Sequence, residues 1–331
     1  MQAVDKLAHY IQNTLWSNVT LINYLLFPFS LLYSFVRNLR YYFFQTPQRF
    51  HSKIICVGNS VSGGAGKTPV VIRLIKLLGK EKKIAVVARG YKGSLSNSKQ
   101  AVKVDLKKHT YKEVGDEAMI IATYTDTFIS ANRKLAIKDA QDYGAEIIIL
   151  DDGFQDNTIH KDLSILVISY LDIKNQFLIP AGPMRESLAT SLRKADILVI
   201  PQNQKHIIPK KYLTGKKIFK QRQIISNANR IKEKNYVLLC AIAQPQRVIS
   251  TAKAVGAKIV KSYIYHDHYD FPPQELEKIY VEARKHNCKV LTTTKDYVRL
   301  PPKYTRKTVI IKHHIEIEHE EKLKKKIIKL V

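Results

Sequence analysis

Cysteine is scarce and scattered in this chain. Cys56, Cys240 and Cys288 stand apart, without the spacing of a disulfide framework or of a metal-ligand set. That excludes a small disulfide-stapled fold and points to a reduced, cytosolic protein. Acidic residues are also short: 28 Asp and Glu against 55 Lys and Arg leave a formal charge of +27. So large an imbalance implies anionic partners, whether nucleic acid, a phospholipid surface or a phosphorylated substrate. The basic residues are spread rather than gathered in a block, so a Lys-rich proteome is an alternative source of part of the bias. No recognised nucleic-acid motif accompanies the charge, which argues against a nucleic-acid partner. Internal repeats and low-complexity tracts are missing too. At 331 residues and 45% hydrophobic content, the chain has room for two domains with real cores.

One stretch lacks charge altogether. Residues 7–36 contain no Asp, Glu, Lys or Arg, and residues 21–36 are strongly apolar and aromatic, followed by Arg37, Arg40 and Arg49. This pattern predicts a membrane-associated helix, either a single span or a deep interfacial one, with a hydrophobic helix packed on the soluble domain as the alternative. Pro28 and the polar Asn18, Thr20 and Asn23 argue against an ideal span. Asp5 and Lys6 in place of a basic cluster, without a clear small-residue cleavage site, argue against a cleaved signal peptide. Arg37 and Arg40 would put the downstream side in the cytoplasm.

What is present is centred on residues 53–78. Ile54, Ile55, Cys56 and Val57 read as a buried strand. Ser62-Gly63-Gly64-Ala65-Gly66-Lys67-Thr68 is a glycine-rich turn, and Val70, Val71, Leu74, Leu77 and Leu78 then recur at helical spacing. Pro69 falls in the first helical turn, where its missing N–H is tolerated. Strand, glycine loop, Lys-Thr and helix make a P-loop: backbone N–H groups wrap phosphates, Lys67 reaches the β/γ-phosphates and the Thr68 hydroxyl holds Mg²⁺. The predicted nucleotide-binding residues are Val61, Ser62, Gly63, Gly64, Ala65, Gly66, Lys67 and Thr68. Val61 stands where the usual motif has its first glycine.

Further apolar strands are predicted at 84–88, 147–150, 163–168 and 197–200, alternating with helices, with a short hairpin strand at 101–104. Such alternation means a parallel α/β sheet. The strand at 147–150 ends in Asp151-Asp152, the Walker B pattern, whose carboxylates face Mg²⁺ directly or through water. Residues 202–234 are polar and basic and mark a boundary. Beyond it, strands at 237–242 and 290–293 and a helix at 273–286 form a second, smaller α/β unit, and the tail from Glu316 reads as a solvated helix. The fold class is therefore α/β: an N-terminal membrane-associated helix (1–45), a P-loop NTPase-like parallel-sheet domain (46–212) and a smaller α/β domain closing the active-site cleft (213–331).

Phosphoryl transfer also needs a group that orients or deprotonates the nucleophile, and cations for the developing charge. Asp116 and Glu117 follow Gly115 at a helix start, where either this role or simple N-terminal capping accounts for them. His268, beside Asp267, suits a partner for such a carboxylate across the domain cleft. A metal site with His266 or an ordinary surface loop are the alternatives, and no third metal ligand is near in sequence. Arg89, Arg133 and Arg185 sit near strand ends or helix starts, where open α/β sheets place ligands.

In order, Val57-Gly58-Asn59, the glycine loop, Arg89-Gly90-Tyr91, Gly115-Asp116-Glu117, Asp151-Asp152-Gly153-Phe154-Gln155, Gly182-Pro183-Met184-Arg185-Glu186, Asp267-His268 and Thr293-Thr294-Lys295-Asp296 resemble the tetraacyldisaccharide 4'-kinase (lipid A 4'-kinase) family over nearly the whole chain. Lys92 and Met184 are modest departures that touch no proposed catalytic role. The resemblance implies transfer of the ATP γ-phosphate to the 4'-hydroxyl of an acylated disaccharide 1-phosphate at the cytoplasmic face of the bacterial inner membrane, giving the 1,4'-bisphosphate, lipid IVA. It implies Asp116 as catalytic base with His268 as its partner, Lys67 and Asp151 in catalysis, and Thr68, Asp151 and Asp152 toward Mg²⁺. It also implies a substrate site lined by Asn59, Arg89, Tyr91, Glu117, Arg133, Arg185 and Glu186, a membrane surface as partner and no obligate protein partner. The competing expectation is a P-loop ATPase of the partitioning or metal-insertion type. Those proteins share the Gly-Gly-x-Gly-Lys-Thr loop but usually add a Lys where Ser62 stands.

Overall fold

The computed structural model describes residues 16, 18–43, 46–62, 66–169, 174–202, 208 and 214–330. The chain divides into a larger unit, which runs to Arg222 and takes back the tail from Ile315, and a smaller unit, Gln223–His314. The larger unit begins with α1 (Leu21–Phe43). There follow β1 (Lys53–Gly58), α2 (Lys67–Leu78), β2 (Ile84–Ala88), β3 (Val102–Lys103), α3 (Tyr111–Val114), α4 (Asp116–Ala122), β4 (Asp126–Ile129) and α5 (Arg133–Asp142). Next come β5 (Ile147–Asp151), β6 (Leu163–Val167), α6 (Leu188–Lys194), β7 (Ile197–Pro201) and β8 (Lys217–Ile225). The smaller unit carries α7 (Ala228–Ile231), β9 (Asn235–Cys240), α8 (Pro245–Ala254), β10 (Lys258–Ile264), α9 (Pro273–Lys285), β11 (Lys289–Thr293), α10 (Thr294–Tyr297), α11 (Pro302–Thr305) and β12 (Thr308–Ile311). The chain ends with β13 (His313–Ile317) and α12 (Glu320–Leu330).

The larger sheet has nine strands in the order β13-β8-β7-β6-β1-β5-β2-β4-β3. Pairing is parallel from β8 to β4, and β3 closes the edge antiparallel to β4. A strand covered on both faces must be apolar on both, which is why β1, β2, β5 and β6 are near-continuous Ile, Val and Leu. Leu74 and Leu78 of α2, Ile121 of α4 and Leu323 and Ile327 of α12 cover one face. Ile137 and Ala140 of α5 and Leu188 and Leu192 of α6 cover the other. The chain order reverses at β1, which has β5 on one side and β6 on the other. Open α/β sheets bind ligands at the carboxyl ends of strands at such a reversal. The register sets Val57 of β1 beside Asp151 of β5, so the two strands end level.

The division between the two units, at Arg222/Gln223, falls inside the polar stretch at 202–234. The polar stretch at 202–234 contains β8, a charged strand paired to β7 and tied to β13 by the pairs Arg222–Glu316 (2.7 Å) and Lys220–Glu318 (3.1 Å). Residues 214–222 and 315–330 group with the larger unit. The tail is not a fully solvated helix, because Leu323 and Ile327 of α12 are completely buried.

The smaller unit is a four-stranded parallel sheet, β10-β9-β11-β12. Val248 and Ala252 of α8 pack on one face, and Leu276, Ile279 and Tyr280 of α9 on the other. The three cysteines are unpaired.

Among the described residues no helix is long and apolar enough to cross a membrane, so the spanning alternative for α1 falls. The cause is a polar face. Asn23 and Ser30 of α1 are 1% exposed, whereas Leu21 is 82%, Leu25 74% and Phe35 64% exposed. The helix turns its polar side to the protein and its apolar side outward.

Candidate active site

The phosphate loop is built from the end of β1. A side chain at Gly58 would collide with Phe154, 2.4 Å from where its Cβ would stand, so only glycine lets the turn after β5 pass so close. Asn59 and Ser60 are fully buried. Val61 is buried in the core and bridges Met184 in antiparallel fashion, an extended role that accounts for a valine in place of the usual glycine. The Ser62 amide donates to Pro183 O at 2.7 Å. Gly63, Gly64 and Ala65 lie outside the described residues. Gly66 takes a left-handed conformation, φ +78°, and turns the chain into α2, whose first turn carries Lys67 and Thr68. Lys67 Nζ donates to Asn59 Oδ1 at 2.9 Å and lies 3.3 Å from Asp152 Oδ1.

Asp151 and Asp152 end β5 in different environments. Burial pushes the Asp151 carboxyl up to about 7; Lys67 opposes this, while Asp152 and Glu117 reinforce it. Its Oδ1 is buried and has no hydrogen-bond partner among the described residues. Asp152 sits at φ +57°, a left-handed conformation uncommon for aspartate. Burial would raise its carboxyl, but Lys67 and Arg185 hold it below the ordinary range. Arg185 Nη1 donates to both Asp152 oxygens, at 2.8 and 2.9 Å. Arg133 Nη2 donates to the Asp152 carbonyl at 2.9 Å, and its Nη1 lies 3.5 Å from Asp156.

The donor set suits a hard cation. A buried carboxylate with an idle oxygen, together with a threonine hydroxyl in the first turn of α2, is the small protein contribution Mg²⁺ requires. Asp151 fits that role better than Asp152, whose two oxygens already serve Arg185 and Lys67. Among the described residues no group of three or more His, Cys, Asp or Glu could hold a metal ion.

Glu186 is buried and accepts from Lys194 Nζ at 2.7 Å and from Gln155 Nε2 at 3.2 Å. Gln155 Nε2 also reaches the Asn59 carbonyl at 2.8 Å. Gln155, Asp156 and Lys194 join the site without a role that sequence alone assigns. Gln155 and Asp156 adjoin the Asp-Asp motif, but Lys194 is separated from Glu186 by two turns of α6 and carries no local signal.

Asp116 opens α4 and is 2% exposed. Gly115 before it has φ +86°, and a Cβ there would meet the Tyr91 carbonyl at 2.7 Å. The Arg89-Gly90-Tyr91 turn is therefore packed, backbone to backbone, on the start of α4. Arg89 and Tyr91 have exposed side chains, and Glu117 is half-buried.

The smaller unit holds its own polar cluster. His268, at φ +62°, has Lys295 Nζ 3.2 Å from Nε2 and Arg299 Nη2 3.5 Å from Nδ1. Beneath it Asp296 is fully buried, accepts from Ala241 N at 3.2 Å and from Thr293 Oγ1 at 2.8 Å, and lies 3.5 Å from Arg299. Burial pushes its carboxyl up to about 6 against the pull of Arg299 and Thr293.

The comparisons agree with one another. The family model described as tetraacyldisaccharide-1-P 4'-kinase (LpxK) matches residues 22–331. A tetraacyldisaccharide 4'-kinase of Rickettsia peacockii is 34% identical over 316 residues, 95% of this chain and 97% of that protein. One of Rickettsia canadensis is 37% identical over 289 residues, 86% of each chain. Among solved structures, an "apo" form LpxK from Aquifex aeolicus in complex with ATP superposes with TM-score 0.78 at 30% identity, covering 93% of this chain and 99% of that one. A P-loop beside paired aspartates on a neighbouring parallel strand, and matches that run the length of the chain, place it in the tetraacyldisaccharide-1-P 4'-kinase family.

Proposed function

We propose that this chain transfers the γ-phosphate of ATP to the 4'-hydroxyl of a tetraacyldisaccharide 1-phosphate, giving the 1,4'-bisphosphate. The observation that carries the reading is the convergence of Lys67 and Arg185 on Asp152, with Asn59 on Lys67, next to the buried Asp151, whose Oδ1 has no hydrogen-bond partner among the described residues. Lys67 and the first amides of α2 bind the β- and γ-phosphates, and Arg185 and Arg133 meet the charge that spreads over the transferring group. Thr68 and Asp151 would hold Mg²⁺, which when bound neutralises phosphate charge. The acceptor oxygen attacks phosphorus as the bond to the leaving ADP oxygen breaks, and Asp116 takes the hydroxyl proton. His268 of the smaller unit assists proton handling. Asn59, Arg89, Tyr91, Glu117 and Glu186 line the substrate site.

The acceptor is a lipid, and α1 is the element suited to meet it. Its outward apolar side suits an interfacial position at the cytoplasmic face of the bacterial inner membrane, and the +27 charge suits an anionic lipid surface. The test is radiolabelled ATP with the tetraacyl disaccharide 1-phosphate in detergent micelles. Wild type is expected to label the lipid, whereas Lys67→Ala and Asp116→Ala are expected to lose activity by at least about a hundredfold. Full activity in both variants sinks the assignment.

A further inference from the structure

Arg185 is held from three directions. Its amide donates to Ser60 O at 2.7 Å, at the root of the phosphate loop. Its guanidinium holds the Asp152 carboxylate. Its carbonyl accepts two bonds from α1, one from the Tyr33 hydroxyl at 3.0 Å and one from Arg37 Nη1 at 3.1 Å. The strap that leads to Arg185, residues 178–185, is held in the same way. Asn23 Nδ2 donates to Ala181 O at 2.6 Å, Ser30 Oγ donates to Leu178 O at 2.7 Å and accepts from Ala181 N at 3.2 Å. Residues 23, 30, 33 and 37 share one face of a helix. These bonds to the strap go to backbone atoms, so α1 sets the path of the strap itself. On its other side the strap pairs with the phosphate loop through Ser62 N to Pro183 O and the Val61–Met184 bridge. The strap thus lies between α1 and the loop that carries Lys67.

We propose that Tyr33 and Arg37 are positioning residues for phosphoryl transfer: by fixing the Arg185 carbonyl they fix where its guanidinium meets Asp152. The claim rests on the kinase reading above and assigns α1 a duty separate from contact with lipid. A displacement of about 1 Å at a group that meets the transferring phosphate is enough to lower the rate many-fold, and two bonds to one carbonyl leave Arg185 little freedom.

The test uses the full chain, with Tyr33→Phe and Arg37→Gln singly and together, and Arg37→Lys as the conservative variant. Activity is measured with saturating ATP and the tetraacyl disaccharide 1-phosphate in detergent micelles. Membrane affinity is read by flotation with phosphatidylethanolamine–phosphatidylglycerol vesicles. The double variant is expected to lose about tenfold or more in kcat, with KM for the lipid and the floated fraction changed by less than about twofold, and Arg37→Lys to keep most of the activity because its ammonium still donates to a carbonyl. Unchanged kcat in the double variant overturns the proposal, as does a loss confined to KM and flotation, which would make both residues simple lipid anchors. If the double variant does not fold, Tyr33→Phe, which removes only a hydroxyl, decides: about a threefold loss in kcat supports the claim and none overturns it. A wild type that binds ATP but does not label the disaccharide overturns the kinase reading and this proposal together, whereas an active wild type with an indifferent double variant overturns this proposal alone.

Discussion

Replacing Asp151 by Asn should stabilise the protein above neutral pH while disabling it. The wild-type carboxyl is raised from 3.8 to about 7 by burial. In the unfolded chain it ionises near its ordinary value, so between roughly pH 4 and pH 7 the unfolded state has lost a proton that the folded state keeps. Stability from this group is therefore fully present below about pH 4 and is lost as pH rises through about 7. The size is at most about 4 kcal/mol, from about three pKa units at 1.36 kcal/mol each, and about 2 kcal/mol is a realistic expectation. Asn has the same shape and no charge to bury, so its advantage over wild type should be near zero at pH 4, grow to about 2 kcal/mol by pH 7.5 and then level off. Denaturant unfolding across that pH range, without nucleotide, measures it. The one tryptophan, Trp16, whose indole N–H donates to Pro180 O at 3.3 Å, gives a fluorescence signal from the larger unit. Adding Mg²⁺ with ATP should stabilise wild type more than the variant, and kinase activity of the variant should fall by at least about a hundredfold. An Asp151→Asn protein that is less stable than wild type at pH 7.5, or whose advantage does not vary with pH, refutes the reasoning.

Two further substitutions probe the scaffold around the site. Gly115→Ala places a methyl 2.7 Å from the Tyr91 carbonyl at φ +86° and should destabilise the larger unit by about 2–4 kcal/mol, read as a lower denaturant midpoint by Trp16 fluorescence. Lys194→Met takes the cation from Glu186, a carboxylate only 1% exposed, and should cost about 1–3 kcal/mol in the same measurement, while adding Glu186→Gln should restore most of that loss because no buried charge is then left unpaired.

The larger sheet was legible because its strands follow one rule: buried on both faces, they must be apolar throughout. The runs at 84–88, 147–150 and 197–200 emerge as β2, β5 and β7 with ends moved by at most a residue. β8 and β13 escaped that rule. They sit at the end of the sheet with partly exposed, charged side chains, and their pairing comes from contacts about a hundred residues apart, which no local pattern encodes. The phosphate corner was legible for another reason. Its chemistry is packed into short segments, 57–68 and 151–155, where spacing alone fixes geometry once strand and helix are placed. The Arg185–Asp152 pair and the Lys194–Glu186 pair are different, since each forms only after the strap and α6 fold back onto the sheet.

The same distinction governs α1. Hydrophobicity measures how apolar a helix is, and residues 21–36 are apolar enough to suggest a span. Which side faces the protein depends instead on where the few polar residues fall around the helix, and Asn23, Ser30, Tyr33 and Arg37 fall on one face. A soluble amphipathic helix would bury the apolar side and expose these four. Here the strap at 178–185 offers backbone atoms rather than an apolar groove, so the polar side is the one that binds: Asn23, Ser30, Tyr33 and Arg37 each donate to a strap carbonyl. The orientation of α1 therefore follows from the chemistry of its docking partner, a segment about 150 residues away. It leaves Leu25, Phe29, Leu32 and Phe35 outward on the same helix that fixes the Arg185 carbonyl. One helix thus presents an exposed apolar side and a polar side tied to a residue that grips Asp152, and moving a single polar residue around that helix would weaken the second property while leaving its overall hydrophobicity nearly unchanged.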